Sequence, residues 1–207
     1  IDAKRRHSRH FERQMMLWNS GFDAHSPDEV CVARPWGVVP EWNMWLQEKV
    51  DCGDTWVALQ GRGGTQIARQ IADALAKLHK SKLPSDRTHR LGDEMAILGD
   101  RLVTAARELP DLSARILRLL EDCQRVADQS VPNCAGPIHR DFYPDQVLVA
   151  GQRLTLSDFD LLCDGDPAVD VGNFRGHLIE DSLRCWRHPS HYAAAEAAFL
   201  AEYLHLC

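Results

Sequence analysis

A loop followed by a tight hairpin is predicted for residues 138–160, and this pattern constrains the fold more than any other stretch of the sequence. An apolar residue leads into His-Arg-Asp at 139–141, and a proline-containing turn follows. Two short runs rich in leucine and β-branched residues come next, at 147–149 and 153–157, and the residues between them, 150–152, are typical of a turn. The sequence therefore predicts an antiparallel hairpin whose open end lies beside the loop.

Three oxygen-bearing side chains are expected at the open end of this hairpin. Gln146 and Asp158 are equidistant from Gln152, the middle of the turn, so they should lie opposite each other with Cβ atoms roughly 5 Å apart. Asp141 lies on the loop at the same end. If the register shifts by one residue, the three side chains still converge on one cleft.

Oxygen ligands of this kind suit a hard cation. Mg²⁺ takes only one or two protein carboxylates, and substrate phosphates and waters complete its shell. A further carboxylate near the metal, but not bound to it, can accept a proton from a hydroxyl. These groups meet the needs of phosphoryl transfer, in which positioning and charge neutralisation supply most of the catalysis. The alternative for any single aspartate is an ordinary capping role, but the ordered set of loop aspartate, hairpin and Asp-Phe-Asp favours the chemistry.

These residues resemble a known family. His139-Arg140-Asp141 with Gln146, then Asp-Phe-Asp at 158–160 and Gly-Asp-Pro-Ala-Val-Asp at 165–170, resemble the catalytic half of the aminoglycoside phosphotransferase family, the small-molecule branch of the protein-kinase-like fold. The resemblance implies an α+β, protein-kinase-like two-lobe fold, here mostly the helical C-lobe with a partial N-lobe. Helix-rich flanks extend the resemblance over most of the chain.

The resemblance also implies a role for each matched residue. Asp141 is the catalytic base or hydroxyl-orienting residue, and Asp158 is the main Mg²⁺ ligand. Gln146 stands where the family usually has asparagine, the second metal ligand, and its amide oxygen is one methylene further out. The other matched residues support the loop and the metal: His139, Arg140, Asp160 and Asp166. Asp166 is also placed to cap the helix that follows it, and Asp170 is open between the same two roles.

Residues 1–50 are predicted to form the partial N-lobe, and residues 51–207 the helical C-lobe. By the resemblance, the strand that enters the C-lobe is the hinge, whose backbone binds the adenine of ATP. The hinge residues are then Gln47, Glu48 and Val50. The alternative is an edge strand that binds no ligand.

A first helix is predicted from Phe11, Met15 and Trp18, whose spacing of four and three residues places them on one face. By the resemblance it is the single helix of the N-lobe, with Lys4 as the candidate phosphate-binding lysine and Glu12 as its partner. The alternative is that both are solvated surface charges.

Glycines at 61, 63 and 64 precede a predicted helix at 66–80, and helix N-termini bind anions. The stretch lacks the Gly-Lys-Ser/Thr ending of a P-loop and the spacing of a dinucleotide fingerprint. We therefore interpret it as a surface linker in which Thr65 caps the helix. Apolar residues on one stripe predict that helix: Ile67, Ile71, Ala74, Leu75 and Leu78. Two more helices are predicted before the catalytic loop, and two after it, at about 168–180 and 190–205.

The net charge limits the classes of partner that we expect, and the cysteine content limits the cellular compartment. The net charge of -6, with scattered Lys and Arg, leaves no basic stripe for nucleic acid and favours a cationic or neutral acceptor. Seven cysteines without a C-x-x-C pair indicate reduced thiols in a cytoplasmic protein. No run approaches the roughly 18 apolar residues that a membrane span needs. The oligomeric state is not readable.

We therefore predict an ATP- and Mg²⁺-dependent phosphotransferase that moves the γ-phosphate to a hydroxyl of a small molecule. A kinase-like enzyme has further strands and a glycine-rich loop before its first helix, and residues before Ile1 would have to supply them. The alternative is a non-catalytic, pseudokinase-like nucleotide-binding or interaction module. A protein kinase is disfavoured, because the few residues between 160 and 165 leave no room for an activation loop. The acceptor cannot be named, because the pocket faces of the helices are not readable.

Overall fold

The computed structural model describes the backbone of residues 3–131 and 136–207, and the side chains of residues 9–131 and 136–207. The helices are α1 (Ala3–Asn19), α2 (Thr55–Gln60), α3 (Gly64–Lys80), α4 (Leu91–Glu108), α5 (Ser113–Gln129), α6 (Ala168–Trp186) and α7 (Ala193–Leu206). The strands are β1 (Val30–Val32), β2 (Pro35–Val39), β3 (Met44–Gln47), β4 (Thr88–His89), β5 (Gly136–Ile138), β6 (Val147–Ala150), β7 (Arg153–Leu156) and β8 (Cys163–Gly165).

The predicted hairpin is present as β6 and β7, and β1 runs parallel to β7 on its other side. Pairing ends at Ala150 and Arg153, so the turn has two residues and Gly151 adopts a φ of +66°. Glycine takes this left-handed conformation without steric cost, which allows so short a turn. The predicted register is therefore wrong by one residue. Gln146 lies opposite Ser157, whose N–H donates to the Gln146 carbonyl at 3.0 Å.

Two further sheets, one of two strands and one of three, contain the other strands. β2 and β3 are antiparallel, and β8 pairs antiparallel with β5 and parallel with β4. The strand predicted to enter the C-lobe is present as β3, although it stops at residue 47. Ile138 at the end of β5 lies opposite Cys163 at the start of β8. Both ends of the motif-containing stretch are therefore anchored in one sheet.

Helix α3 lies at the centre of the core. Its residues Ile71, Leu75 and Leu78 are fully buried, as the apolar stripe predicted, and the helix packs against α7. Every turn of α3 contributes buried side chains, so the helix gives the surrounding elements a fixed surface to pack against. The His79 side chain, next to Leu78, also points into the protein and is 4% exposed.

The start of α3 corrects one prediction. The helix begins at Gly64 with Gly63 at its N-cap, so Thr65 is not the capping residue. A Cβ on Gly64 would lie 2.0 Å from the carbonyl oxygen of Leu59. Glycine is therefore required where α2 and α3 meet, and the glycine-rich stretch is a close helix-to-helix connection.

Helix α2 was not predicted. Its six residues are too few for a periodic apolar pattern, and only its cap is readable from the sequence. The Asp54 carboxylate accepts hydrogen bonds from the N–H groups of Trp56 and Val57, at 2.8 and 3.3 Å. An aspartate placed before a short apolar run was the available signal.

Helices α4 and α5 form an antiparallel pair that packs mainly on itself. Ala106 is the one buried residue of α4, and α5 has none. Several large apolar side chains of the pair are 40% exposed or more, among them Ile97, Leu119 and Val126. The pair therefore lies outside the main core.

Helices α6 and α7 confirm the last two predicted helices, although α6 continues to Trp186, beyond its predicted end at residue 180. Phe174 of α6 and Phe199 of α7 are fully buried, with ring centroids 4.3 Å apart. Across the part of the chain that the structure describes, no helix is both long and apolar enough to cross a membrane.

Candidate active site

The loop after β5 is held by one buried carboxylate. Asp170, on α6, is fully buried, and its two oxygens accept the backbone N–H groups of His139 and Arg140 at 2.7 and 2.6 Å. Arg140 has a φ of +72°, a left-handed conformation that is costly for a residue with a Cβ. The two hydrogen bonds fix the backbone in that conformation immediately before Asp141.

Asp166 was predicted to support the catalytic loop, but Asp170 makes the contacts to that loop. The Asp166 carboxylate accepts the N–H of Ala168, the first residue of α6, at 2.9 Å, although the N-cap position itself is Pro167. The clamp on the catalytic loop is made by Asp170. The sequence left Asp170 undecided, because its partners are backbone groups some 30 residues away that no side-chain pattern reveals.

His139 joins the loop to the end of the hairpin. Its side chain is buried between the rings of Phe142 and Phe159, with centroids 5.7 and 5.0 Å away. Nε2 lies 2.8 Å from the carbonyl oxygen of Ser157 and donates to it. Nδ1 is buried and has no hydrogen-bond partner among the described residues. His139 thus fixes the position of the loop relative to Ser157, the neighbour of Asp158.

Asp141 is partly exposed. Within the described ranges, its carboxylate forms no hydrogen bond or ion pair. A partner-free carboxylate on a fixed backbone is available to bind a hydroxyl proton. Asp141 follows the clamped residues 139 and 140, and the His139 ring connects this loop to Ser157 at the end of the hairpin. The catalytic role of Asp141 stays a prediction.

Gln146 and Asp158 both lie at that open end, but not opposite each other. Gln146 is 8% exposed, and its amide oxygen accepts the Ser157 hydroxyl at 3.0 Å. Asp158 is exposed, with a φ of +55°. Its carboxylate accepts only a long hydrogen bond from the Asp160 N–H, at 3.4 Å. The carboxylate of Asp158 is therefore free for a ligand, whereas the Gln146 oxygen is shared with Ser157.

Two arginines clamp the turn that follows Asp158. Arg13 donates to the carbonyl oxygens of Phe159 and Asp160 at 2.7 and 2.9 Å, and Arg87 donates to that of Asp160 at 3.0 Å. Burial, with Arg87 nearby, lowers the pKa of Arg13. The Asp160 carboxylate pairs with His10. The turn is therefore tied to α1 and to the segment before β4.

The sequence did not reveal Arg13 and His10. The face predicted for α1, with Phe11 and Met15, is only partly buried, and the buried residues are Gln14 and Leu17. His10 lies four residues before Gln14, and Arg13 lies four residues before Leu17, so both are on the same side of the helix. If the polar Gln14 had been counted in the buried face together with Leu17, that face would also have included His10 and Arg13.

The structure does not bring Glu12, the predicted partner of the phosphate-binding lysine of α1, to the Asp158 turn. Glu12 is exposed, and the polar groups that reach the Asp158 turn come from His10 and Arg13 instead. The side chain of Lys4 lies outside the described residues.

A cleft of about 300 Å³ connects the predicted hinge with the Asp158 turn. Its lining includes Gln47 and Trp45 of β3, Gln14 of α1, and Ser157 and Asp158 at the hairpin end. Just beyond β3, the N–H of Glu48 donates to the Arg34 carbonyl at 2.8 Å. One cleft therefore brings a predicted cofactor residue and a predicted metal ligand together, while the roles of Glu48 and Val50 stay predictions.

A second cavity, of about 390 Å³, lies between the catalytic loop and α4. Arg140 and Asp93 both line it. Beside it, Glu94 lies 2.6 Å from His89 Nε2 and 3.8 Å from Arg140 Nε. This ion-pair cluster connects α4 to the loop.

Magnesium fits the donor set only with help from a substrate. In residues 9–131 and 136–207, no group of three or more His, Cys, Asp or Glu side chains is arranged to hold a metal ion. The free carboxylate of Asp158 and the amide oxygen of Gln146 together match the one or two protein ligands that Mg²⁺ takes beside substrate phosphates.

Comparison with known proteins gives one family. The family model described as phosphotransferase enzyme family matches residues 7–205. A search of curated proteins found no match.

Solved structures with a similar fold are small-molecule kinases. A glucosamine kinase is 20% identical with a TM-score of 0.64 over 94% of this chain and 57% of its own. A spectinomycin phosphotransferase is 13% identical with a TM-score of 0.60, covering 94% and 69%. An aminoglycoside phosphotransferase from Alicyclobacillus acidocaldarius is 16% identical with a TM-score of 0.55, covering 96% and 65%. The predicted protein-kinase-like α+β fold is confirmed. The chain spans less than two thirds of the glucosamine kinase chain.

Proposed function

Since this chain belongs to the phosphotransferase enzyme family, we propose that its protein transfers the γ-phosphate of ATP to a hydroxyl group of a small molecule. The observation that supports this most directly is the pair of free carboxylates, Asp141 and Asp158, on two backbone segments joined by the His139 to Ser157 hydrogen bond. With both carboxylates on segments that this hydrogen bond connects, one could bind a metal and the other a proton.

Asp141 is the proposed base. Its carboxylate would accept a hydrogen bond from the acceptor hydroxyl, orient it toward the phosphate and take its proton. The clamp of Asp170 on the loop supports this role, because a positioned base contributes about 10²–10⁴-fold to a rate. Asp158 and Gln146 are the proposed Mg²⁺ ligands. When bound, the ion would neutralise charge on the β- and γ-phosphates.

The nucleotide would occupy the cleft between β3 and the Asp158 turn. The lining by both Gln47 and Asp158 supports this placement, and Glu48 and Val50 would be the neighbouring hinge positions between segments 1–50 and 51–207. The solved structures of the glucosamine kinase and of the spectinomycin phosphotransferase contain ADP.

The proposed acceptor is a hydroxylated compound that carries an amino group. The two solved complexes contain glucosamine and spectinomycin. The net charge of -6 favours a cationic acceptor, and Asp93 contributes a carboxylate to the cavity beside the catalytic loop. Free thiols at the six described cysteines support a reducing, cytoplasmic compartment. Cys134 lies outside the described residues.

The test is turnover by the full-length protein. Phosphate transfer from ATP with Mg²⁺ would be followed by ³¹P NMR across a set of amino sugars, amino alcohols and neutral polyols. We expect transfer to at least one acceptor, and a loss of about 10²-fold or more in Asp141→Asn and Asp158→Asn. Asp145→Asn is the matched control, since Asp145 is exposed on the same loop. Full turnover in Asp141→Asn would contradict the proposal.

A non-catalytic nucleotide-binding module is the second candidate. The engagement of Gln146 with Ser157 favours it, because a metal would have to share or displace that hydrogen bond. Calorimetry separates the two functions. Binding of Mg-ATP without transfer to any compound of the set supports the module, and loss of transfer in Asp158→Asn supports the enzyme.

A further inference from the structure

We infer that His79 and Tyr203 are positioning residues that hold the catalytic loop in place through Asp170. The inference rests on the proposed function for the role of the loop. Neither residue touches the loop itself. They belong to α3 and α7, far from Asp141 in the sequence, and they act through a continuous set of buried hydrogen bonds.

The contacts form a single path. The Tyr203 hydroxyl lies 2.6 Å from His79 Nδ1, and His79 Nε2 lies 2.8 Å from Asp170 Oδ2. The same Oδ2 accepts the His139 N–H at 2.7 Å, and Oδ1 accepts the Arg140 N–H at 2.6 Å. All three side chains are at least nine-tenths buried.

Hydrogen-bond chemistry gives each group in this path one direction. An ionised carboxylate only accepts, so the nitrogen of His79 that faces Asp170 must carry a proton. If His79 is neutral, its Nδ1 is then an acceptor and the Tyr203 hydroxyl is the donor. Burial, with Cys207 nearby, raises the pKa of Tyr203, so the hydroxyl keeps its proton. Each polar atom of the path is thereby satisfied without a cation in the core.

This arrangement restrains the orientation of Asp170. Two of its three hydrogen bonds go to the loop, and the third, from His79, prevents rotation of the carboxylate away from it. Arg140 needs this restraint because its left-handed backbone is costly without it. A shift of 1 Å in a catalytic group can lower a rate about 10²-fold, so a loosened clamp would act directly on Asp141.

Three variants separate positioning from simple stability. Tyr203→Phe removes one oxygen atom, and His79→Leu removes both hydrogen bonds of the ring. His79→Gln restores a donor toward Asp170. The matched control is Tyr192→Phe, because Tyr192 precedes α7, is 3% exposed, and donates to the buried Asp181 at 3.1 Å. Asp181 makes its hydrogen bonds to Tyr192 and Arg184, away from the loop.

The first measurement does not depend on activity. Hydrogen exchange at the amides of residues 139 and 140 would be compared among folded variants, with folding checked by circular dichroism. We expect exchange to rise about tenfold or more in His79→Leu, by less in Tyr203→Phe, and not at all in Tyr192→Phe. In the wild type, ¹⁵N shifts should show His79 as the Nε2–H tautomer. Unchanged exchange in both Tyr203→Phe and His79→Leu, or the opposite tautomer, would overturn the inference.

The second measurement uses turnover. If the loop is displaced, kcat falls about 10-fold to 100-fold in His79→Leu while the KM for ATP changes little, and His79→Gln recovers part of the loss. An equal fall of kcat in Tyr203→Phe and Tyr192→Phe would reduce both residues to general stability and would refute positioning. Failure of the proposed function looks different. In that case the wild type turns over no acceptor, while the exchange pattern still reports the clamp.

Discussion

The catalytic loop at 139–143 and the α4–α5 pair lie side by side, joined at Arg140 and Glu94, yet they are held in different ways. The loop backbone is bound by a fully buried carboxylate, and its His139 and Phe142 are fully buried. The α4–α5 pair has one buried residue in two long helices. Local stability in proteins follows buried contacts, so the loop should open only with the whole domain and the helix pair much more easily.

This difference suits a transferase with one chemistry and variable acceptors. The proposed base and the proposed metal ligands would have to keep their geometry within fractions of an ångström. A surface that binds an acceptor can adapt, because specificity arises from a modest number of contacts. The cavity between Arg140 and α4 lies at the boundary of the two regions. If burial separates the two regions, substitutions that affect the loop should cost much more stability than substitutions in the helix pair.

The largest effect is expected for Asp170→Ala. The change leaves three buried donors without an acceptor: the N–H groups of His139 and Arg140, and Nε2–H of His79. Each unsatisfied group costs about 1–3 kcal/mol, so the free energy of unfolding should fall by at least about 3 kcal/mol. Urea denaturation measures it.

The control for this variant is Asp181→Ala, which removes another buried carboxylate from α6. It should lower stability without raising amide exchange in the catalytic loop. A loss below about 1 kcal/mol in Asp170→Ala would show that the loop is no better held than the helix pair.

The candidate residues of the loop and hairpin could be picked out from the sequence, while the residues that support the loop could not. Asp141, Gln146 and Asp158 are close in sequence, and hairpin geometry alone brings them together. The register was missed by one residue because a two-residue turn depends on the backbone of Gly151, which a run of turn-forming residues does not specify. Periodic patterns predicted α3 well, since each turn of that helix faces the core.

The supporting residues share a reason for being missed. Asp170, His79 and Arg13 act on backbone groups or on each other across 30 to 146 residues of sequence. Such contacts form only when packed helices bring distant segments together. Neither local spacing nor hydrophobic periodicity contains that information.

A smaller effect is expected for Arg13→Ala. Its guanidinium makes two hydrogen bonds to carbonyl oxygens of the turn after Asp158, and charged hydrogen bonds contribute about 1.5–3 kcal/mol when partly buried. We expect a loss of about 2 kcal/mol in the free energy of unfolding and a higher KM for Mg-ATP, because the turn that positions Asp158 loosens.

Arg9→Ala is the control for Arg13→Ala, since Arg9 is exposed on the same helix. Its stability and its KM should match the wild type. If the two variants have the same stability and the same KM for Mg-ATP, then α1 contributes only charge to the site and does not hold the turn in place.

A gain in stability is expected for Arg140→Gly. Glycine adopts the φ of +72° without a Cβ clash, which favours the folded state by about 1–2 kcal/mol. Loss of the distant ion pair with Glu94, and the greater freedom of glycine in the unfolded chain, together offset about 1 kcal/mol. The net change should be a gain of up to about 1 kcal/mol, measured by thermal denaturation.

Arg187→Gly provides the comparison for that gain. Arg187 has a φ of +52° at the end of α6 and lies outside the site, so it should show a similar gain without any change in turnover. A loss of stability in Arg140→Gly alone would mean that the Arg140 side chain, through Glu94, holds the loop and α4 together more strongly than the geometry suggests.

The smallest effect is expected in the helix pair itself, with Leu119→Ala on α5. A fully buried leucine costs about 2–5 kcal/mol when truncated, because a cavity remains. Leu119 is 52% exposed, so its replacement leaves no closed cavity. Alanine also favours the helix slightly, and the net loss should stay below about 1 kcal/mol.

Leu78→Ala in the fully buried part of α3 is the counterpart, and its loss of stability should fall in the range of about 2–5 kcal/mol. Equal losses in the two variants would place α5 in the cooperative core. A change in the KM of Leu119→Ala for the acceptor, with stability unchanged, would instead connect the exposed face of α5 to acceptor binding.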